Sequence, residues 1–203
     1  MQVTCSMLAG GVRALPADVV FCLLAGLWLL GTLYWCAGAL DSKKIAYRQP
    51  RYQLLAYAAA VTGGILVISM VPQLQKQVVP YSLIQQFAGI GLCTGGVAFA
   101  VWARAVLGRN WSATVALKEG HELIQRGPYR IVRHPIYTGL LGAIAGTLLA
   151  LKPSFASIAY MAIATACIVV KLKHEEKLLM GLFPVEYAAY KRKVKGSLIP
   201  FVL

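Results

Sequence analysis

An all-α, polytopic membrane protein is the fold class that this 203-residue sequence predicts. Three observations lead there. Hydrophobic residues make up 59% of the chain and charged residues 13%, a balance too apolar for an ordinary soluble domain. The apolar residues are gathered into long uncharged blocks. The 20 Lys and Arg residues divide unevenly between alternate connections, 17 against three, so the chain carries a strong positive-inside signature.

Residues 19–40, 54–71 and 81–103 run 22, 18 and 23 residues without a charge. About 20 apolar residues in a helix cross roughly 30 Å of hydrocarbon, so these three predict crossings. Residues 136–151 and 155–170 hold 16 each and are split by Lys152-Pro153-Ser154. They predict two shorter helices, either spanning or folded as a tilted helical hairpin. Five membrane helices are expected in all. The first block is longer than the apolar core of a cleavable signal, and no small-residue cleavage site follows it promptly, so it reads as a retained anchor.

Charge sets the expected orientation. Lys43, Lys44, Arg48 and Arg51 lie in the first inner connection. Arg104, Arg109, Lys118, Arg126, Arg130 and Arg133 lie in the second. Lys171, Lys173, Lys177, Lys191, Arg192, Lys193 and Lys195 lie in the tail. Only Arg13, Lys76 and Lys152 remain for the other side. This predicts the N-terminus outside and the C-terminus in the cytoplasm. Topology and anionic lipid thus account for the net charge of +13, and no nucleic-acid partner is expected. Four of the five cysteines sit in apolar blocks and no pair has C-x-x-C spacing; they read as buried small hydrophobes. No metal site is expected.

A single domain, 1–203, is expected. Residues 41–51 read as a short basic turn. Residues 104–134 are far longer than a helix connection needs and contain Trp111, Val115, Leu117, Leu123, Ile124, Tyr129 and Ile131, so they read as an ordered functional loop. The stretch GIGLCTGG (89–96) looks like a dinucleotide loop, but it lies within an apolar block and follows no strand. Gly91 with Gly95, and Gly142 with Gly146, have the four-residue spacing that lets membrane helices approach closely.

Two polar stretches could carry chemistry. RGPYRIVRHPIYTG (126–139) directly precedes an apolar block. Pro135 suits the first turn of a helix, where its missing N–H costs nothing. Arg126, Arg130 and Arg133 read as inside-facing anchors, and Tyr129 and Tyr137 as interfacial aromatics. His134 and Tyr137, three residues apart, fall on neighbouring positions of the first helical turn. That helix start offers free N–H groups to an anionic ligand group. The second stretch, KLKHEEKLLMGLFPVEYAAYKRKV (171–194), places Glu175 and Glu176 where the last apolar block gives way to water. Acids near a helix C-terminus oppose its dipole, so the pair implies a cation to bind, either a lysine or a cationic ligand.

The ordered set G-H-x-L, G-x-Y-R-x-x-R-H-P-x-Y-x-G, E-E-x-x-L and F-x-x-E-Y-x-x-Y resembles the isoprenylcysteine carboxyl methyltransferase family, over about residues 102–200. That family is related to the membrane phospholipid N-methyltransferases. The resemblance implies an S-adenosyl-L-methionine site formed by His121, Glu122, Leu123, Ile124, Tyr129, His134, Pro135, Ile136 and Tyr137, with Glu175 or Glu176. The family ties an arginine one turn before that acid to the methyl acceptor; Lys171 stands there, keeping the charge and losing the bidentate fork. A proline, Pro184, stands where the family has glycine. The implied acceptor is lipophilic and enters from the bilayer, a prenylated carboxylate being favoured and an aminophospholipid the alternative. The implied setting is a prokaryotic inner membrane. A sterol-reductase-like NADPH enzyme and a non-enzymatic scaffold are the other classes weighed.

Overall fold

The computed structural model describes residues 14–40, 45–48, 51–79, 82–108, 111, 116–118, 123–151 and 153–200. Six α-helices account for most of them: α1 (Ala17–Leu40), α2 (Arg51–Ser69), α3 (Leu83–Leu107), α4 (Pro135–Leu151), α5 (Phe155–Leu182) and α6 (Pro184–Lys193). Among the described residues, three helical stretches are long and apolar enough to cross a membrane: Ala17–Gly38, Leu83–Leu107 and Phe155–Leu182. Pro135–Leu151 is a shorter apolar helix. The protein is an all-α membrane protein, as expected, but the span lengths fall differently. The fifth block, expected to be short, continues through 171–182 because Lys, Leu, Glu and Met are good helix formers. It stops where Pro184 disfavours helical backbone at Phe183. The second block forms most of α2, a 19-residue helix that starts at Arg51.

Serine boxes and prolines start four of the helices. Ser82 accepts a hydrogen bond from the Gln85 N–H while the Gln85 side chain accepts from the Ser82 N–H, a reciprocal box that starts α3. Ser154 and Ser157 repeat it at α5. Pro135 and Pro184 open α4 and α6.

One element departs from the expectation. Residues 41–51, read as a basic turn, contain a strand, β1 (Ile45–Arg48), which pairs antiparallel with β2 (Ala116–Lys118) from the second inner connection. Strands of four and three residues are too short for an alternating pattern to show in the sequence.

The tightest packing joins α3 to α4. A Cβ on Gly89 would collide with the Ala150 backbone, one on Gly96 with Ala143, one on Gly139 with Ala100 and one on Gly146 with Cys93. The seam therefore runs 89, 93, 96, 100 against 150, 146, 143, 139, alternating steps of four and three. Of the two expected packing pairs, Gly91 and Gly95 face open space, whereas Gly146 lies in the seam and Gly142 meets the Gly96 Cα. A fixed four-residue spacing drifts around the helix, whereas alternating four and three holds one face. Val20 and Leu24 of α1 complete this core, and Trp28 Nε1 donates to Thr147 Oγ1 at 3.0 Å. The cysteines do not share one environment: Cys93 is buried, Cys167 is half-buried, and Cys22 and Cys36 are exposed on the outer face of α1, where apolar thiols suit surrounding lipid.

Two sets of contacts define the ends of the bundle. At one end Gln86 clamps the Leu15 backbone, accepting from its N–H at 2.7 Å and donating to its carbonyl at 3.0 Å, and the Val78 N–H donates to the Pro153 carbonyl at 2.9 Å. At the other end Arg104 donates to the carbonyls of Gly38 and Gly108, each at 2.7 Å, with its guanidinium 4.5 Å from the Trp111 ring centre. The basic tail and the start of α4 share this second end.

Candidate functional site

The site is built where the start of α4 meets the far third of α5. The segment before α4 makes a single 3-10 turn at Gly127–Arg130. Gly127 has φ +60°, a left-handed conformation that glycine adopts without strain and that reverses the chain there. The turn brings His134 and Tyr137 onto the face of α4 that looks toward α5, with their rings stacked at 5.9 Å and 26°.

The E-E pair lies on α5 with its two acids doing different work. Glu175 faces the two rings: the Tyr137 phenol donates to Oε1 at 2.5 Å, and His134 Nδ1 lies 3.6 Å from Oε2. Glu176 turns the other way. Arg133 Nε donates to Oε1 at 2.8 Å and Lys191 Nζ to Oε2 at 2.8 Å. His134 Nε2 is 3.4 Å from Glu176 Oε1 but makes no hydrogen bond among the described residues. Both carboxylates are largely buried, with 22% and 14% of the side chain exposed. They are thus not a solvated helix end, and α5 continues beyond them to Leu182. The cations that answer Glu176 are remote in sequence. Lys171, Lys173 and Lys177, its near neighbours, are not its partners in these ion pairs. Lys171 stands one turn before Glu175, its ammonium 5.3 Å from the Tyr137 ring centre.

The remaining expected residues divide. Pro135 is buried at the start of α4 and Ile136 is half-buried beside it. Tyr129, expected at an interface with lipid, is buried, and its carbonyl accepts from the Tyr190 hydroxyl at 2.7 Å. Burial pushes the Tyr129 phenol well above the usual phenol range, with Tyr190 and then Glu175 adding to the shift. Tyr129 therefore lies within electrostatic reach of Glu175. Leu123 packs on Tyr187, Tyr190 and Val194, the buried face of α6 and the residue that follows it, and Ile124 is half-buried. His121 and Glu122 lie outside the described residues.

Sequence reasoning missed two contributors. Arg133, read as an anchor, points into the protein: besides Glu176, its Nη1 donates to the carbonyls of Val194 at 2.7 Å and Lys195 at 2.6 Å. The chain after α6 was also missed. The N–H of His134 donates to the Ser197 carbonyl at 2.9 Å, and Thr138 Oγ1 to the Leu198 carbonyl at 2.6 Å. An arginine directly before His-Pro was the available signal; its partners are set by tertiary structure alone.

Fold and site together define a helical membrane protein with a half-buried cluster of acid, imidazole, phenol and ammonium at the basic end of its bundle. Residues 89–181 match the isoprenylcysteine carboxyl methyltransferase family. The match takes in the H-P-x-Y stretch and the E-E pair, and stops short of α6. Protein-S-isoprenylcysteine O-methyltransferase B of Arabidopsis thaliana is 30% identical over 97 residues, 47% of this chain and 49% of that protein. The protein-S-isoprenylcysteine O-methyltransferase of Saccharomyces cerevisiae is 33% identical over 97 residues, 47% and 40% respectively. Cobalt-zinc-cadmium resistance protein CzcN of Cupriavidus metallidurans is 35% identical over 91 residues, 44% and 41%. The chain thus spans about half the length of the first of these relatives.

Proposed function

We propose that this protein is an integral membrane methyltransferase that uses S-adenosyl-L-methionine to methylate the carboxylate of a lipophilic acceptor of the isoprenylcysteine type. The observation that carries this reading is the clustering of His134, Tyr137, Lys171 and Glu175 across the α4–α5 boundary, inside the segment that matches the family. The arrangement suits the cofactor. Its ammonium and sulfonium call for an acid and an aromatic face, and Glu175 and Tyr137 offer both. A buried imidazole nitrogen, His134 Nε2, without a hydrogen bond among the described residues is a further polar group to answer.

The roles then follow. His121, Glu122, Leu123, Ile124, Tyr129, His134, Pro135, Ile136, Tyr137 and Glu175 form the cofactor side. Glu175 is preferred over Glu176, whose oxygens are already held by Arg133 and Lys191. Lys171 takes the acceptor carboxylate. When bound, the cofactor supplies a methyl group on a cationic sulfur. A carboxylate acceptor is already deprotonated at neutral pH, so no residue need act as a base. What the chain supplies is alignment and a site with little water, where bringing opposite charges together is favoured. The whole chain, 1–203, serves as one domain, with five crossings, N-terminus outside and site on the cytoplasmic side. In this arrangement a polar cofactor arrives from water and an oily acceptor from the bilayer.

Detergent-solubilised protein incubated with methyl-labelled S-adenosylmethionine and farnesylated cysteine tests the reading. A base-labile labelled product is the expected result, and Lys171→Ala should lower turnover while leaving cofactor affinity near wild type. A base-stable product would point to nitrogen methylation. Absence of label with any lipid acceptor, alongside binding of NADPH, would overturn the proposal.

A further inference from the structure

The residues after α6 run as an irregular strap back across the start of α4, and both layers of that contact reach the site. In the backbone layer, the N–H groups of Arg133 and His134 donate to the carbonyls of Gly196 and Ser197 at 3.0 and 2.9 Å, and Thr138 Oγ1 donates to Leu198. His134 immediately precedes α4, so these carbonyls pair the two N–H groups that lead into the helix. In the side-chain layer, Leu198 is buried in a cluster with Ile168 and Leu172, on which Tyr137, Leu140 and Leu141 pack. Arg133 joins the layers, donating through Nη1 to Val194 and Lys195 in the strap and through Nε to Glu176 on α5. One guanidinium therefore ties strap, helix start and acid pair together, which a single ammonium cannot reproduce.

We propose that the strap 194–198 is a working part of the site and that Arg133 is the positioning residue through which its docking sets the orientation of His134 and Tyr137. The inference rests on the methyltransferase reading only for its effect on cofactor affinity; the geometric claim stands without it. The strap lies beyond the segment that matches the family, which ends at 181. Arg133 touches neither cofactor nor acceptor in this account.

The test uses full-length protein with its histidines isotopically labelled; there are three, His121, His134 and His174. Arg133→Lys keeps the charge and loses the fork, and Leu198→Ala acts from the strap side if the first variant does not fold. Two readouts are taken well below the melting temperature: the imidazole resonances of His134 without ligand, and the dissociation constant for S-adenosylmethionine. Misaligning one charge-assisted hydrogen bond to the cofactor weakens binding about 10- to 100-fold, so the expected result is a shifted His134 signal and affinity weaker by that factor. A merely structural role lowers the melting temperature and moves neither readout, and that result would overturn the inference. An unmoved His134 signal in both variants overturns it whatever the affinity. A wild-type protein that binds no S-adenosylmethionine, with variants that still move His134, sinks the proposed function and leaves the strap standing.

Discussion

Replacing Glu176 by glutamine separates the two acids. The Glu176 carboxylate accepts from Arg133 Nε and Lys191 Nζ, each at 2.8 Å. The Arg133 side chain is 9% exposed and the Lys191 side chain 38%, so the two contacts are not equivalent. A charge-assisted hydrogen bond contributes about 1.5–3 kcal/mol, whereas an exposed ion pair contributes about 0.2–1 kcal/mol. The Arg133 contact therefore dominates. Glutamine keeps one acceptor oxygen but removes the charge that balances a buried guanidinium, which would retain only its two carbonyl partners. The net loss should be about 1–3 kcal/mol. In a chain of this size each kcal/mol lowers the melting temperature by roughly 2–4 °C, so a fall of about 2–12 °C is expected. Lys191→Ala should cost about 0–4 °C on the same scale. Glu175→Gln keeps an acceptor for the Tyr137 hydroxyl and should cost less than Glu176→Gln. Thermal unfolding in detergent, followed by intrinsic fluorescence, reads all three. A Glu176→Gln protein that melts within about 1 °C of wild type, beside a larger loss in Glu175→Gln, would refute the division of labour between the acids.

Further expectations concern packing, ionisation and orientation. Gly96→Ala forces a Cβ into the Ala143 backbone and should cost about 1–3 kcal/mol, whereas Gly91→Ala meets open space and should be neutral or gain up to about 1 kcal/mol in thermal unfolding. Equal effects would contradict the alternating seam. Tyr129, Tyr187 and Tyr190 have phenols raised mainly by burial, so the folded state holds their protons more tightly than the unfolded chain. Their stabilisation is complete below about pH 10, the ordinary phenol value, and falls as pH rises above it. Ultraviolet titration should show these three ionising together with unfolding; early, reversible ionisation of all ten tyrosines would contradict their burial. A reporter fused after Leu203 should behave as cytoplasmic, and activity on the outer side would overturn the orientation drawn from the 17-to-three split of basic residues.

Much of the fold was legible because lipid imposes coarse rules. Uncharged blocks announced helices, and Pro135 announced the start of α4. The length of α5 was not legible, because charge was read as a stop although the residues from 171 to 182 favour helix as strongly as an apolar run. The small-residue seam was half legible: Gly142 and Gly146 do meet α3, but Gly91 and Gly95 do not meet α4, because the face of α3 alternates steps of four and three. At the site, the closeness of His134 and Tyr137 followed from helical spacing, and the two glutamates were singled out as binding a cation. Which acid binds what could not be read, since Arg133 is 43 residues and Lys191 15 residues from Glu176. Such pairings depend on how helices meet, and on a tail whose irregular backbone leaves no periodic trace. The pairing of β1 with β2 escaped for the same reason.

In the proposed function, the cluster of His134, Tyr137 and Glu175 where α4 meets α5 holds S-adenosylmethionine through Glu175. Isothermal calorimetry on purified wild-type and Glu175→Gln protein tests it most directly, because it needs no knowledge of the acceptor. The account predicts wild-type binding with a dissociation constant of about 1–100 μM, or roughly −5 to −8 kcal/mol. It predicts affinity about 10- to 150-fold weaker in Glu175→Gln, the loss of one charge-assisted hydrogen bond. No heat from the wild-type protein with millimolar cofactor, or a Glu175→Gln protein that binds as tightly as wild type, would contradict it.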